Sequence, residues 1–126
     1  MIGQHLMVDG VFEPPLDREN VGAILSELPG IIGMHILHGP EVVKGCPENP
    51  GWTGFVIIDK SHISVHTFDE GSRVSVDVFS CQPFDVEEAR RFIEGKIAFK
   101  KMKTRTLTRS EAVSYTHLTL PTTPYV

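Results

Sequence analysis

The sequence predicts an α+β fold, a two-layer sandwich in which an antiparallel sheet carries two helices on one face. Three observations lead there. Segments rich in β-branched residues alternate with period two, two other segments repeat apolar residues at helical spacing, and the order is strand, helix, several strands, helix, strand. Helices gathered on one face leave the other to be covered by a second sheet or by a second copy of the chain.

Residues 4–12, QHLMVDGVF, form the first strand, which Glu13-Pro14-Pro15 ends because proline offers no amide to a ladder. In 17–30, DRENVGAILSELPG, Val21, Ile24, Leu25 and Leu28 share a helix face, with Asp17 as cap and Pro29-Gly30 as stop. Residues 31–38 form a second strand. The Gly/Pro-rich stretch 39–52 reads as a lid-like loop, with room for a short strand around Val42 and Val43. Strands at 53–59, 62–68 and 73–81 follow, the last two joined by a turn at Asp69-Glu70-Gly71-Ser72. A second helix starts at Asp85, with Glu88 three residues on, and sets Ala89, Phe92, Ile93 and Ile97 on one face. A strand over 100–108 closes the domain.

With 126 residues, 40% of them hydrophobic, and no long apolar run, the chain is expected to be one soluble domain. Its N-terminus has neither a charged start nor an apolar signal core, which points to the cytoplasm and away from a membrane. A formal charge of -4 argues against nucleic acid, and the basic run 100–109 reads as a solvated edge strand whose lysines deter edge pairing. Cys46 and Cys81 belong to no CxxC motif, so neither a zinc site nor a structural disulfide is expected. The uncharged stretch 113–126, VSYTHLTLPTTPYV, lacks periodicity; one choice of codons for Val113 to Thr122 resembles the transposon-end adapter of sequencing libraries. It is set aside as a non-native tail, His117 included, leaving 1–112 as the domain.

Residues 59–70, DKSHISVHTFDE, carry two histidines and two serines in a strand that packing does not require. Singly, His62, His66 and Ser61 are ordinary, no carboxylate or cysteine completes a metal set, and Cys81 reads as a small buried hydrophobe. Jointly, SHISVHTFDE followed by VDVFSC, with Ser61, His66, Glu70 and Cys81 at fixed offsets, resembles the small, pyruvoyl-dependent S-adenosylmethionine decarboxylases of bacteria and archaea. The resemblance is dense from Thr53 to Cys81 and weaker through GQHL and the helices.

The resemblance implies a proenzyme that cleaves itself between Lys60 and Ser61, giving a β chain of residues 1–60 and an α chain from 61. It implies that the Ser61 hydroxyl attacks the Lys60 carbonyl, with Thr53 stabilising the oxyanion and His66 taking the α-proton as the ester is eliminated. The cofactor is then a pyruvoyl group made from Ser61, which forms a Schiff base with the substrate amine and acts as electron sink for the carbanion that Cys81 protonates. Glu70 would accept from the ribose hydroxyls, with Asp9 and Phe68 as further substrate contacts. A homodimer of processed protomers is implied, with decarboxylated product feeding spermidine synthesis. Strict alternation sets Ser61 and His66 on opposite faces, so a bend or bulge is expected between them.

Four departures stand out. Lys60 replaces the usual glutamate, Thr53 replaces serine, Asp9 stands where a longer carboxylate is common, and 38–52 holds a Gly/Pro-rich insertion where the family has a short segment with an adenine-stacking ring. Trp52, Phe55 and Phe68 are the candidates for that ring. Two other functions compete with S-adenosylmethionine decarboxylation. One is a pyruvoyl-dependent arginine or ornithine decarboxylase using Glu41 or Glu48 of the loop, and the other is an unprocessed regulatory paralogue, supported by Lys60.

Overall fold

A computed structural model describes residues 3–109; the stretch 113–126 lies outside them. The elements are β1 (Gly3–Phe12), α1 (Arg18–Ile31), β2 (Ile36–Lys44), β3 (Trp52–Ile58), β4 (Ser61–Phe68), β5 (Arg73–Ser80), α2 (Val86–Lys96) and β6 (Phe99–Arg109). The strands form one antiparallel sheet in the order β2-β3-β4-β5-β1-β6. No helix among the described residues is long and apolar enough to cross a membrane.

Alternation builds the core. Ile63 and Val65 of β4, Val56 and Ile58 of β3, Val74, Val76 and Val78 of β5, and Leu6 and Val8 of β1 point to one face, where Val21, Ile24, Leu25 and Leu28 of α1 and Ala89 and Ile93 of α2 meet them. Both helices therefore cover the same face, as their sequence patterns require. The other face is open. β6 is an edge strand, and its lysines and arginines are exposed.

The helix starts follow the sequence closely. Asp17 and Asn20 form a reciprocal capping box, and the Asp85 carboxylate accepts from the Glu88 amide at 3.0 Å. On α2, the guanidinium of Arg90 bridges Glu87 and Glu94, which holds the Glu87 carboxyl below its ordinary range through that hydrogen bond.

Two expectations fail around α1 and β2. Pro29 does not stop the helix, which runs to Ile31. Proline lacks only the amide that would reach Leu25, while Ile32 still donates to Leu28, and burial of Leu28 and Pro29 keeps the turn in place. The stop is Gly33, at φ 75, where the Gly33 amide donates to Gly30 and the Met34 amide to Pro29 in a Schellman pattern. The second strand is thereby moved to Ile36–Lys44 and takes up half of the expected loop, leaving only 45–51 as loop. Gly39 and Pro40 are tolerated because β2 is an edge strand with one neighbour, and its register with β3 shifts between Ile36 and His38 and again between His38 and Glu41.

α1 packs closely over the sheet at Gly54, where a Cβ would come within 2.7 Å of Leu25 Cδ1 and 3.0 Å of Val21 Cγ1. Gly54→Val should therefore overpack this contact and cost about 1–3 kcal/mol in denaturant unfolding. Gly22→Ala, with nothing within 4 Å of the added carbon, should instead stabilise α1 by about 0.5–1 kcal/mol.

Candidate functional site

The β3–β4 hairpin carries the motif. Ile58 pairs with Ser61, so the strands are joined through Asp59 and Lys60, and Lys60 sits at φ 46. Ser61 is 5% exposed and faces the helices; its Oγ donates to the Asp59 carbonyl at 2.7 Å. The Asp59 carboxylate accepts from the His35 amide at 2.8 Å and so ties the turn to the chain entering β2. Because Ser61 pairs with Ser80, Cys81 follows at the same end of the sheet. Its thiol side is exposed, unlike the buried hydrophobe that a strand-end cysteine suggests.

No bend or bulge separates Ser61 from His66. β4 pairs residue for residue with β3 and with β5, without a register shift. A bulge there would turn either Ile63 or Val65 out of the core, and both are fully buried. His66 accordingly lies on the open face, five residues from Ser61, or roughly 16 Å at the rise of an extended strand.

Around His66 the sheet assembles a polar row. Thr53 pairs with His66, His66 with Ser75, Ser75 with Asp9, and Asp9 with Lys103. Thr53 Oγ1 is 3.1 Å from His66 Nδ1, and Ser75 Oγ donates to Asp9 Oδ1 at 2.6 Å. Beside the row lies a cleft of about 420 Å³ lined by Asp9, Phe68, Arg73, Ser75, Lys101 and Lys103. Its aromatic wall is Phe68, with the Arg73 guanidinium 5.1 Å from the ring centroid. Glu70 is exposed in the adjoining turn, and the loop 45–51 docks at this end through the Asp69 amide, which donates to Pro50.

The predicted residues thus divide into two groups. Thr53, His66, Phe68, Glu70 and Asp9 gather at one end of the open face, while Lys60, Ser61 and Cys81 sit at the other end of the sheet. Of the other aromatic candidates, Trp52 packs against the core under Arg18, and Phe55 stacks on His38 near the β2 edge. Glu41 is engaged by His38 at 3.0 Å.

Sequence reasoning missed Ser75, Arg73 and Phe79. Phe79 lies on the open face at the Ser61 end, with His5 and His62 against its ring and Arg109 4.8 Å from its centroid. The alternation of β5, read in register with β4, is the signal that would have found all three.

Comparison with known proteins bears on the family and the fold. The profile of the S-adenosylmethionine decarboxylase family matches residues 4–110. An S-adenosylmethionine decarboxylase proenzyme of Clostridium botulinum (strain Hall) is 31% identical over 113 residues, covering 86% of this chain and 95% of that protein. The proenzyme of the same name from Geobacillus sp. (strain WCH70) is 37% identical over 59 residues, 47% of this chain and 48% of its own. The fold is similar to the crystal structure of the adenosylmethionine decarboxylase from Aquifex aeolicus, with a TM-score of 0.69 at 23% identity over 86% of this chain and 90% of that one.

The contact between Thr53 and His66 fixes which imidazole nitrogen is engaged. Thr53→Val should cost about 0.5–1.5 kcal/mol of stability and shift the His66 Nδ1 resonance in nitrogen-15 NMR, with the sheet register unchanged. An unmoved resonance would show that the contact does not hold the ring.

Proposed function

The chain belongs to the S-adenosylmethionine decarboxylase family, and from that membership we propose that it is a self-cleaving carboxy-lyase whose site is shared between two copies. It decarboxylates S-adenosylmethionine for polyamine synthesis, in the cytoplasm, as a processed domain of residues 1–112. The observation that carries the shared site is the separation of Ser61 from His66 by sheet face and strand length.

Processing starts in the turn. Ser61 Oγ bonds to the Lys60 carbonyl carbon, the amide C–N bond breaks, and the hydroxyl proton ends on the freed nitrogen. Elimination then breaks the Cβ–Oγ bond, the α-proton passing to His66 Nε2 or Nδ1. Lys60 is left as a carboxylate, and water completes the pyruvoyl group at residue 61 with loss of ammonia. Residues of the right kinds are present for this group: a serine after a tight turn, a hydroxyl–imidazole pair, and an exposed thiol beside the turn. Once formed, the group supplies an electron sink for the carbanion left by loss of carbon dioxide.

The chain's own residues do the rest. Cys81 holds the proton that returns to the substrate α-carbon. Glu70 accepts from the ribose hydroxyls, Phe68 offers an aromatic face to the adenine, and Asp9, oriented by Ser75, offers a second carboxylate. Thr53 orients the His66 ring. Toward residue 61 of the same chain, the roles of Thr53, His66, Phe68, Glu70 and Asp9 cannot be filled, since roughly 16 Å of strand lies between His66 and residue 61.

A second copy resolves the distance. A two-fold axis lying between two open faces and crossing β4 at right angles near Ile63 and Ser64 superposes the residue-61 end of each chain on the His66 end of the other. The acyl shift turns the residue-61 nitrogen into a free amine, which releases that residue from the alternation holding its side chain toward the helices. Exposed Phe55, Ile57 and Leu107 on the open face supply apolar area for such an interface.

Intact mass should show two chains divided at Lys60 and Ser61, and Ser61→Ala should give one. His66→Ala should stall as precursor or ester, whereas Cys81→Ala should cleave and turn over poorly. Mixing Ser61→Ala with His66→Ala at equal amounts before processing should restore about a quarter of normal activity, because half of the assemblies are mixed and each holds one intact shared site. No restoration would place both groups in one chain. Carbon dioxide release should be measured with S-adenosylmethionine, arginine and ornithine; Glu70→Gln should weaken use of the first by about 1.5–3 kcal/mol. Turnover of arginine or ornithine and none of S-adenosylmethionine would reassign the substrate.

A further inference from the structure

The residue that supplies the attacked carbonyl has the wrong backbone for its side chain. Lys60 lies at φ 46, a region that side chains with a Cβ avoid and that glycine adopts freely. The turn itself is also ill-matched to the strands. Two-residue hairpins that follow strand twist place the first central residue at positive φ, in type I′ and type II′ alike, and here that residue, Asp59, is not in that region while the second is. Both neighbours of Lys60 are nevertheless tied down. The Asp59 carboxylate accepts from the His35 amide at 2.8 Å, and its backbone amide donates to the His35 carbonyl at 3.3 Å. On the other side Ser61 is buried and paired with both Ile58 and Ser80.

We propose that the turn of Asp59 and Lys60 is held in a strained state that drives the self-cleavage, with Asp59 as the anchor that prevents the strain from relaxing by movement of the turn. The inference rests on self-processing at Ser61 and adds its driving force. An amide is normally far more stable than the ester formed by its rearrangement. In this turn the ester lengthens the path from the Lys60 carbonyl carbon to the residue-61 Cα by one atom, from C–N–Cα to C–Oγ–Cβ–Cα. The closure that forces Lys60 to positive φ is thereby loosened, so the strain counts against the amide and not against the ester. The hydroxyl is already folded into the turn by its bond to the Asp59 carbonyl. Asp59 and Lys60 act as positioning residues: neither side chain exchanges protons or bonds with the reacting atoms.

This role separates from a merely structural one by the sign of two effects. In an uncleavable Ser61→Ala background, adding Lys60→Gly should raise the melting temperature, because glycine adopts the turn without penalty. In the cleavable chain, the same Lys60→Gly should slow appearance of the two fragments by about five- to thirtyfold, the rate equivalent of the left-handed penalty. Lys60→Asn, which tolerates this region better than lysine, should fall between. Asp59→Ala should also slow cleavage, while lowering the melting temperature of the Ser61→Ala precursor. Lys60→Gly cleaving as fast as the parent, or failing to stabilise the Ser61→Ala precursor, overturns the strain mechanism and leaves processing intact. A parent chain that never cleaves overturns both.

Discussion

The uninterrupted pairing of β4 constrains everything else in this molecule. Residues 61–66 run in register with β3 on one side and 61–68 with β5 on the other, and the burial of Ile63 and Val65 forbids a slip of even one position. Since successive side chains leave a strand on opposite faces, residue 61 is committed to the helix side and residue 66 to the open side. The apolar core therefore determines where the chemistry stands.

That commitment explains how polar function and packing coexist in a small domain. Among the described residues, the buried part of the helix face is apolar apart from small hydroxyls at Ser61, Thr67 and Ser80. The open face collects what the core excludes, in rows that cross the sheet: one of aromatic and imidazole rings around Phe79, and one of hydroxyl, imidazole and carboxylate groups through Thr53, His66, Ser75 and Asp9. Each row joins residues far apart in the chain, and each is positioned by backbone ladders, not by loops.

The tight turn at Asp59 and Lys60 follows from the same register. With Ile58 and Ser61 paired, only two residues can cross between strands, and neither is a glycine. The sheet thus imposes on Lys60 a conformation its own propensity opposes. Elsewhere the chain meets comparable demands with glycine: Gly33 ends α1 and Gly71 turns between β4 and β5, both at positive φ. Two residues other than glycine also stand at positive φ, Ser72 in the turn between β4 and β5 and Lys60, and only Lys60 falls at the bond beside Ser61.

The elements and their faces were legible in the sequence because they depend on local spacing. Alternation over 62–68 and 73–81 determined which side chains share a face, helical spacing with Asp17 and Asp85 determined both helix starts, and the offsets of Ser61, His66, Glu70 and Cys81 pointed to the family. Other features depended on pairing between distant segments. Pro40 could sit in a strand only because β2 has a single neighbour, and Pro29 could remain helical only because it is buried in the last turn. Insertion of β1 between β5 and β6 brought Asp9 to Ser75, and so to the row of His66. Direction along a strand is a local property of L-residues, whereas the neighbour across a ladder is chosen by burial of the whole sheet. The sequence by itself therefore determined the elements and the alternation of side chains along each strand, and the tertiary structure decided which side chains meet, keeping Ser61 and His66 on opposite faces without the expected bend and bringing Ser75 to His66 and Asp9.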